Sequence, residues 1–448
     1  MAVHGAAEAS AGVVKCQCGG PARWLVKRHV AHYDGAETQA ASAIEPKENV
    51  MTTPNALQGV RVLELGQLIA GPFASKMLAE FGADVIKIEA PDGGDPLRRW
   101  RLLHEGTSVW WAAQSRNKQS VTLDLRTPEG QQVVRQLALE TDILIENFRP
   151  GAMEGWGLGW DVLHALNPRL IMLRVSGYGQ TGPYRDRPGF GVVGEAMGGL
   201  RHLSGEAGRT PVRVGVSIGD TLSALHGVIG IMMALRHRDQ NGGEGQMIDV
   251  ALYESVFNVM ESLLPEYAVF GTVRQPAGSS LPGIAPSNAY LCADGKYALI
   301  AGNGDGIFRR LMEVIGRCDL RDEPALAHND GRVANVERID AAIGAWSASQ
   351  PLDAVLDALN GAAIPAGRIY DVADIAADPH YQARDMLLDA QLADGTPVQL
   401  PGIVPKLSAT PGQVRSAAPA LGQHTDAVLD RLGIDAATRA SWRGRGII

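Results

Sequence analysis

From residue 57 onward, short and almost wholly apolar runs alternate with longer amphipathic stretches. Residues 60–65 (Val-Arg-Val-Leu-Glu-Leu), 84–89 (Asp-Val-Ile-Lys-Ile-Glu), 120–124 (Ser-Val-Thr-Leu-Asp), 143–145 and 170–175 have the length and β-branched content of strands. Between them, 72–81 and 127–140 read as helices, the second opened by Thr-Pro-Glu-Gly, where a threonine N-cap precedes a proline fit for the first helical position. Strands this apolar are buried on both faces, so the alternation predicts an α/β fold, a parallel sheet with helices on both sides. The first turn, Gly66-Gln-Leu-Ile-Ala-Gly-Pro72, lacks the GxGxxG spacing of dinucleotide binders, and no nicotinamide or flavin is expected.

An apolar helix is predicted up to Leu235, then a polar, glycine-rich turn over 237–245, a strand over 246–252 and a helix through about Tyr267. Residues 274–288, rich in Gly, Pro and Ser, read as a linker. Beyond them a hairpin over 289–301, turning at Ala293-Asp-Gly-Lys296, and helices from Ile307 and Val336 predict a second, smaller α+β domain. A final helix falls within 421–432. The expected division is 1–54 as an extension, 55–273 as the large α/β domain, 274–385 as linker and small domain, and 386–448 as a return to the large one.

Length supports two domains, since 448 residues exceed what one core usually serves, and 45% hydrophobic residues supply the core. The 41 basic and 49 acidic residues give a net charge of −8 without a block of five like charges, which argues against a nucleic-acid partner. The strongly apolar run 227–235 is far shorter than the ~20 residues of a membrane span. With four scattered cysteines and no charged-then-apolar leader, these features predict a soluble, cytoplasmic protein without a membrane partner. Residues 1–50 have no sustained periodicity, and Met51 reads as the native start. Within them Cys16, Cys18, His29 and His32 form a set of two thiolates and two imidazoles, but CxC is unusual for structural zinc; no metal is expected.

The candidate chemistry centres on Asp220, which follows Gly219 at the head of the apolar helix. A carboxylate there meets unpaired N–H groups and the positive end of the helix dipole, which would fix its direction and lower its pKa. Capping alone is the plainer role for an aspartate so placed. The surrounding motifs decide against it.

From Leu57 to Ile448 the chain resembles the class III coenzyme A transferases, which include formyl-CoA transferase, carnitine CoA-transferase and succinyl-CoA-dependent dicarboxylate transferases, with α-methylacyl-CoA racemases as relatives. The resemblance is carried by Gly66–Pro72, Gly82–Glu89 with Gly94-Asp-Pro96, Asn117-Lys118, Leu123-Asp-Leu-Arg-Thr-Pro-Glu-Gly, Glu146-Asn-Phe-Arg-Pro-Gly151, Gly177-Tyr-Gly-Gln-Thr-Gly-Pro183, Gly219-Asp220, Gly245-Gln246 with Asp249, and Leu421-Gly-Gln-His-Thr425. It implies that Asp220 is the nucleophile. It also implies a Rossmann-like large domain built from both chain ends, a small inserted domain, and an interlocked homodimer in which each chain threads the other; linkers around 274–288 and 379–405 are consistent with that.

The same resemblance assigns coenzyme A contacts to Leu68, Ile69 and Ala70, to Leu123, Asp124, Leu125 and Arg126, to Asn147, Phe148 and Arg149, and to Arg187, Pro188, Gly189 and Phe190. Arg126, Arg149 and Arg187 are the natural phosphate partners, because a guanidinium offers planar paired donors. No permanently bound cofactor is implied, only CoA thioesters and carboxylic acids as substrates. Ile69 and Ala90 replace the glutamine and arginine of formyl-CoA transferase, so formate and oxalate are poor guesses. Arg209 and Arg213 are candidates for a second substrate carboxylate and, with the segment 283–288, favour succinyl-CoA and C4–C6 dicarboxylates. In the racemases a histidine stands at Phe190 and an aspartate at Gly191. A phenyl ring takes no proton, which leaves Glu195 as a substitute base or, preferably, a residue that orients a neighbour. A binding protein that uses no nucleophile is the remaining alternative.

Overall fold

The computed structural model describes residues 55–448, so the Cys16, Cys18, His29 and His32 set lies outside the described residues. Six strands form one parallel sheet: β1 (Arg61–Glu64), β2 (Asp84–Glu89), β3 (Lys118–Thr122), β4 (Ile143–Glu146), β5 (Ile171–Ser176) and β6 (Met247–Ala251), in the order β3-β2-β1-β4-β5-β6. Val62 of β1 sits opposite both Val85 and Ile143, and Leu144 of β4 opposite Met172. The two-residue period then sorts the side chains. Val62, Ile143, Ile145, Ile171 and Leu173 share one core with Ala74 and Leu78 of the helix Ala70–Glu80 and with Ala224, Ile231 and Leu235 of the helix Ile218–Gln240. Leu63, Ile86, Val121, Leu144 and Met172 share the other with Val133, Val134 and Leu137 of the helix Pro128–Ala138. That helix starts as its sequence dictates: Thr127 Oγ1 accepts the Gly130 N–H at 3.1 Å and Pro128 takes the first position.

Predicted and observed elements differ mainly at their ends. The predicted helix through Tyr267 is broken, into Leu252–Phe257 and Leu263–Phe270, with Glu261 between them at φ 50°. Residues 379–405 are not a bare linker: they contain the helix Pro379–Ala383 and an antiparallel hairpin, Leu387–Gln391 with Pro397–Pro401. The helix Ile218–Gln240, at 23 residues, is long and apolar enough to span a bilayer by composition, which the run 227–235 alone did not show. Here its Ala224, Ile231, Ala234 and Leu235 pack into the core.

Two compact units emerge. One combines residues 55–278 with Asp371–Ile448 and contains the parallel sheet; the other is Ser279–Tyr370, edges that differ from the 274 and 385 read from the sequence. In the smaller unit a three-stranded antiparallel sheet of Ser287–Leu291, Tyr297–Ala301 and Ala366–Arg368 packs Tyr290 and Ile300 against Phe308, Leu311, Ile339, Ile343 and Val355 from its helices.

Charges are buried inside the larger unit. Lys87 of β2 bridges Glu64 of β1 at 2.7 Å and Asp95 at 2.8 Å, and Lys118 of β3 reaches Glu64 at 2.9 Å, all four side chains being at most 1% exposed. Burial alone would raise the Glu64 carboxyl, but Lys118 and Lys87 overcome it and hold the group down at about 2. Burial, with repulsion from Lys87, brings Lys118 down to about 8 against the pull of Glu64.

Candidate active site

At β1 the sheet changes direction: the chain builds outward to β2 and β3 on one side and to β4, β5 and β6 on the other. The loops leaving the carboxyl ends of β1 and β4 therefore diverge, and a crevice opens between them. Its first wall is Gln67-Leu68. Gln67 N–H donates to Asn147 Oδ1 at 2.7 Å and Asn147 Nδ2 returns a bond to Gln67 O at 2.8 Å, locking the β1 loop to the β4 loop. Leu68 sits at φ 63°, a conformation costing a non-glycine residue about 1–3 kcal/mol, and its N–H is held by both oxygens of Asp95 at 3.0 and 3.2 Å. Asp95 is in turn anchored on Lys87, so the buried charges reach the crevice wall.

Asn147, Phe148 and Arg149 form the second wall. Beneath them buried Glu146 accepts the Phe148 N–H at 2.7 Å and pairs with Arg174 at 2.7 Å; burial drives its carboxyl up, to about 7, against the pull of Arg174. The third wall follows β5, where Gly177 and Gly189 touch: a Cβ on Gly177 would lie 3.0 Å from the Gly189 Cα. That approach brings in Arg187, whose guanidinium lies 3.6 Å from the centre of the Tyr184 ring, and Phe190, which is 68% exposed.

Asp220 closes the crevice, and its surroundings correct the sequence reading. It is the third residue of the helix Ile218–Gln240, whose N-cap is Ser217, so Asp220 is not a cap. Nor is its pKa lowered. Burial, and after it the charge of Glu195, together raise the carboxyl to about 6 against the opposing pull of Arg213 and its own backbone N–H. At an exposed helix end the dipole would dominate; here removal from water outweighs it. Glu195, in the helix Gly191–Met197, is 1% exposed and pairs with Arg213, Nε to Oε2 at 3.2 Å.

Gly191 leaves the Asp220 carboxylate its space. A Cβ at that position would lie 2.1 Å from Asp220 Oδ2. Gly191→Ala is therefore expected to keep the fold, since the clash is confined to one crevice side chain, and to lower kcat roughly 10²-fold by turning Asp220 aside. Steady-state kinetics beside a thermal melt would check this. An aspartate here, as in the racemases, would meet the same contact.

The crevice thus brings together Leu68, Ala70, Asn147, Phe148, Arg149, Arg187, Gly189, Phe190 and Asp220. It adds Gln67 and Gly177, which stood in motif stretches without an assigned role, and Ser176 and Leu252, which no sequence signal singled out. Four other expected residues lie elsewhere: Leu123 is 1% exposed in the core, Leu125 packs against that core, and Asp124 and Arg126 pair with each other at 2.9 Å on the surface. Ile69 is buried under the crevice, its carbonyl accepting from Gln114 Nε2 at 3.2 Å, and Pro188 is exposed beside it. Arg209 is exposed and paired with Glu206. Among the described residues no cluster of His, Cys, Asp and Glu is suited to hold a metal ion.

A family model described as CoA-transferase family III matches residues 57–425. Succinyl-CoA–D-citramalate CoA-transferase of Chloroflexus aurantiacus is 47% identical over 383 residues, 85% of this chain and 95% of that protein. Succinate–glutarate CoA-transferase of Agrobacterium fabrum is 36% identical over 385 residues, 84% of this chain and 95% of that protein. Among solved structures, a CAIB/BAIF family protein from Brucella suis superposes with a TM-score of 0.75 at 35% identity, covering 85% of this chain and all (100%) of that one.

Proposed function

Because the chain belongs to CoA-transferase family III, we propose that it moves CoA from succinyl-CoA to a C4–C6 dicarboxylate through covalent intermediates on Asp220. The supporting observation is a carboxylate in a crevice at the switch point of a parallel sheet, largely withdrawn from water and in no ion pair among the described residues. CoA transfer between acids must conserve the thioester, so the enzyme interposes its own carboxylate. One Asp220 oxygen attacks the thioester carbon; the carbon–sulfur bond breaks and the thiolate leaves with the electron pair, giving an aspartyl–acyl anhydride. The thiolate then attacks the Asp220 carboxyl carbon, releasing the donor acid and leaving an aspartyl-CoA thioester. The acceptor carboxylate runs both steps in reverse. Backbone N–H groups at the start of the helix Ala70–Glu80 and a glycine-bearing loop stabilise the tetrahedral oxyanions.

In this reading Arg149 and Arg187, both lining the crevice, take phosphates of CoA, while Arg126 must exchange Asp124 for phosphate to take part. Arg213, whose charge reaches Asp220, receives the distal carboxylate of the acyl group. The dicarboxylate substrates of the relatives from Chloroflexus and Agrobacterium support that class of acceptor. The reading includes a cytoplasmic homodimer. Racemisation is disfavoured, because Phe190 stands where the histidine that shares proton transfer with the aspartate is needed, and a phenyl ring takes no proton.

The test is chemical trapping. The purified protein, given succinyl-CoA without acceptor and then hydroxylamine, is expected to carry a hydroxamate at Asp220, read by peptide mass spectrometry. An unmodified peptide despite CoA binding, across a panel of acyl donors, would leave a binding protein.

A further inference from the structure

We propose that Glu195 is a positioning residue of the transfer reaction, acting on Asp220 through Gly219 and Arg213 without touching substrate. The inference rests on the function proposed above and concerns how the nucleophile is kept reactive. Attack by a carboxylate on a thioester is uphill, because a thiolate leaves less readily than a carboxylate. A more basic Asp220 is a better nucleophile, but it must stay ionised at the working pH. Those demands oppose each other, and the geometry answers them with two charges of opposite sign.

Glu195 packs its side chain on the first turn of the nucleophile's helix: a Cβ on Gly219 would lie 3.2 Å from Glu195 Cγ. Its oxygens meet Arg213 Nε at 3.2 Å and Nη2 at 3.4 Å, so the guanidinium is gripped along one edge. Glu195 is 1% exposed, whereas the Arg213 side chain is 43% exposed. The negative member is thus fixed beside Asp220, and the positive member is open to solvent and to substrate.

Several other charged or titratable groups on the packed elements are engaged elsewhere. Lys76 and Glu80 on the helix Ala70–Glu80 pair together, and Arg174 on β5 is held by Glu146 and Glu154. Asp249 on β6 accepts the Gln180 N–H at 2.8 Å, and Tyr253 bonds to Glu254 on the helix Leu252–Phe257. His226 lies further along the nucleophile's own helix, and Arg149 and Arg187 line the crevice. The charges that reach the Asp220 carboxyl are those of Glu195 and Arg213.

The experiment measures kcat/KM against pH for succinyl-CoA with a dicarboxylate acceptor, in the wild type, Glu195→Gln, Arg213→Gln and Arg213→Lys. Removing the Glu195 charge is expected to move the acid limb down by roughly one unit and to lower plateau kcat through the less basic nucleophile. Arg213→Gln should move the limb up by a similar amount, and Arg213→Lys should largely restore it. Limbs that stay in place in both Gln variants while kcat falls would overturn the proposal and leave Glu195 a packing residue. If Glu195→Gln does not fold, the surface-accessible Arg213 pair decides alone. Wild-type protein without transfer activity at any pH would instead refute the transferase reading beneath the proposal.

Discussion

Asp220→Ala is expected to abolish CoA transfer, with kcat reduced at least roughly 10³-fold, while affinity for CoA changes little. The asymmetry follows from the placement of the side chain. Asp220 lies at one side of the crevice, and the candidate phosphate ligands Arg149 and Arg187 belong to other loops, which the substitution does not disturb. Calorimetric titration with CoA beside a transfer assay separates the two effects; equal losses of binding and turnover would show that Asp220 organises the crevice instead of reacting in it. The same substitution should stabilise the fold. Asp220 titrates near 3.8 when unfolded and about 6 when folded, so the native state holds its proton more tightly. Between those values the native state binds more protons than the unfolded one, and stability falls as pH rises through the window. Above it the ionised carboxylate costs the fold on the order of 1–3 kcal/mol, which alanine removes. Melting curves of the variant should lie above wild type near pH 7 and converge with it toward about pH 4.

Lys87→Met is expected to have the largest effect on stability, a loss of about 3–5 kcal/mol in chemical denaturation, because it leaves Glu64 and Asp95 buried without their shared counter-ion. The lysine's own pKa is raised by Glu64 and Asp95 beyond the effect of burial. Its contribution is complete below the unfolded value of 10.5 and is lost only as pH rises past the still higher folded one. Glu64 behaves oppositely: held down at about 2, it contributes above its unfolded value of 4.5 and loses that contribution as pH falls toward 2. Wild-type protein should therefore weaken in acid over that window. In Lys87→Met the window narrows from its lower end, as the folded Glu64 value rises. Loss of catalysis should accompany loss of stability, since the Asp95 carboxylate that restrains Leu68 is itself anchored on Lys87.

Much of the larger unit was legible in the sequence because burial on both faces writes strands as apolar runs: β1, β2, β4 and β5 fall within a residue or two of the predicted segments. The crevice loops were legible through glycine and asparagine motifs, and Gly66, Asn147, Gly177 and Gly189 do form its close contacts. What stayed hidden was environment. Asp220 read as a carboxylate of lowered pKa because local sequence reports the helix field, while the opposing burial and the Glu195 charge come from residues brought in by the fold. Leu123 read as a ligand contact, yet, one residue past β3, it is buried in the same core as Val121. The hairpin Leu387–Gln391 with Pro397–Pro401 escaped notice because its short strands are largely exposed and broken by Asp389, Gln391 and Gln399, without the apolar run that marks the sheet.

The core face carried by Val121 and Leu144 is completed by Val428, Leu429 and Ile447, and Thr122 N–H finds its acceptor in Thr425, 303 positions later. On the ribosome that interval is a delay. At about 5–20 residues per second, roughly 15–60 s separate synthesis of β3 from arrival of the segment that covers it. The nascent large unit must wait with an apolar sheet face open, while Ser279–Tyr370, whose core uses only its own residues, can close earlier. Slow translation or a shortage of holding chaperones should therefore harm the yield of this protein more than the stability of the finished molecule would indicate.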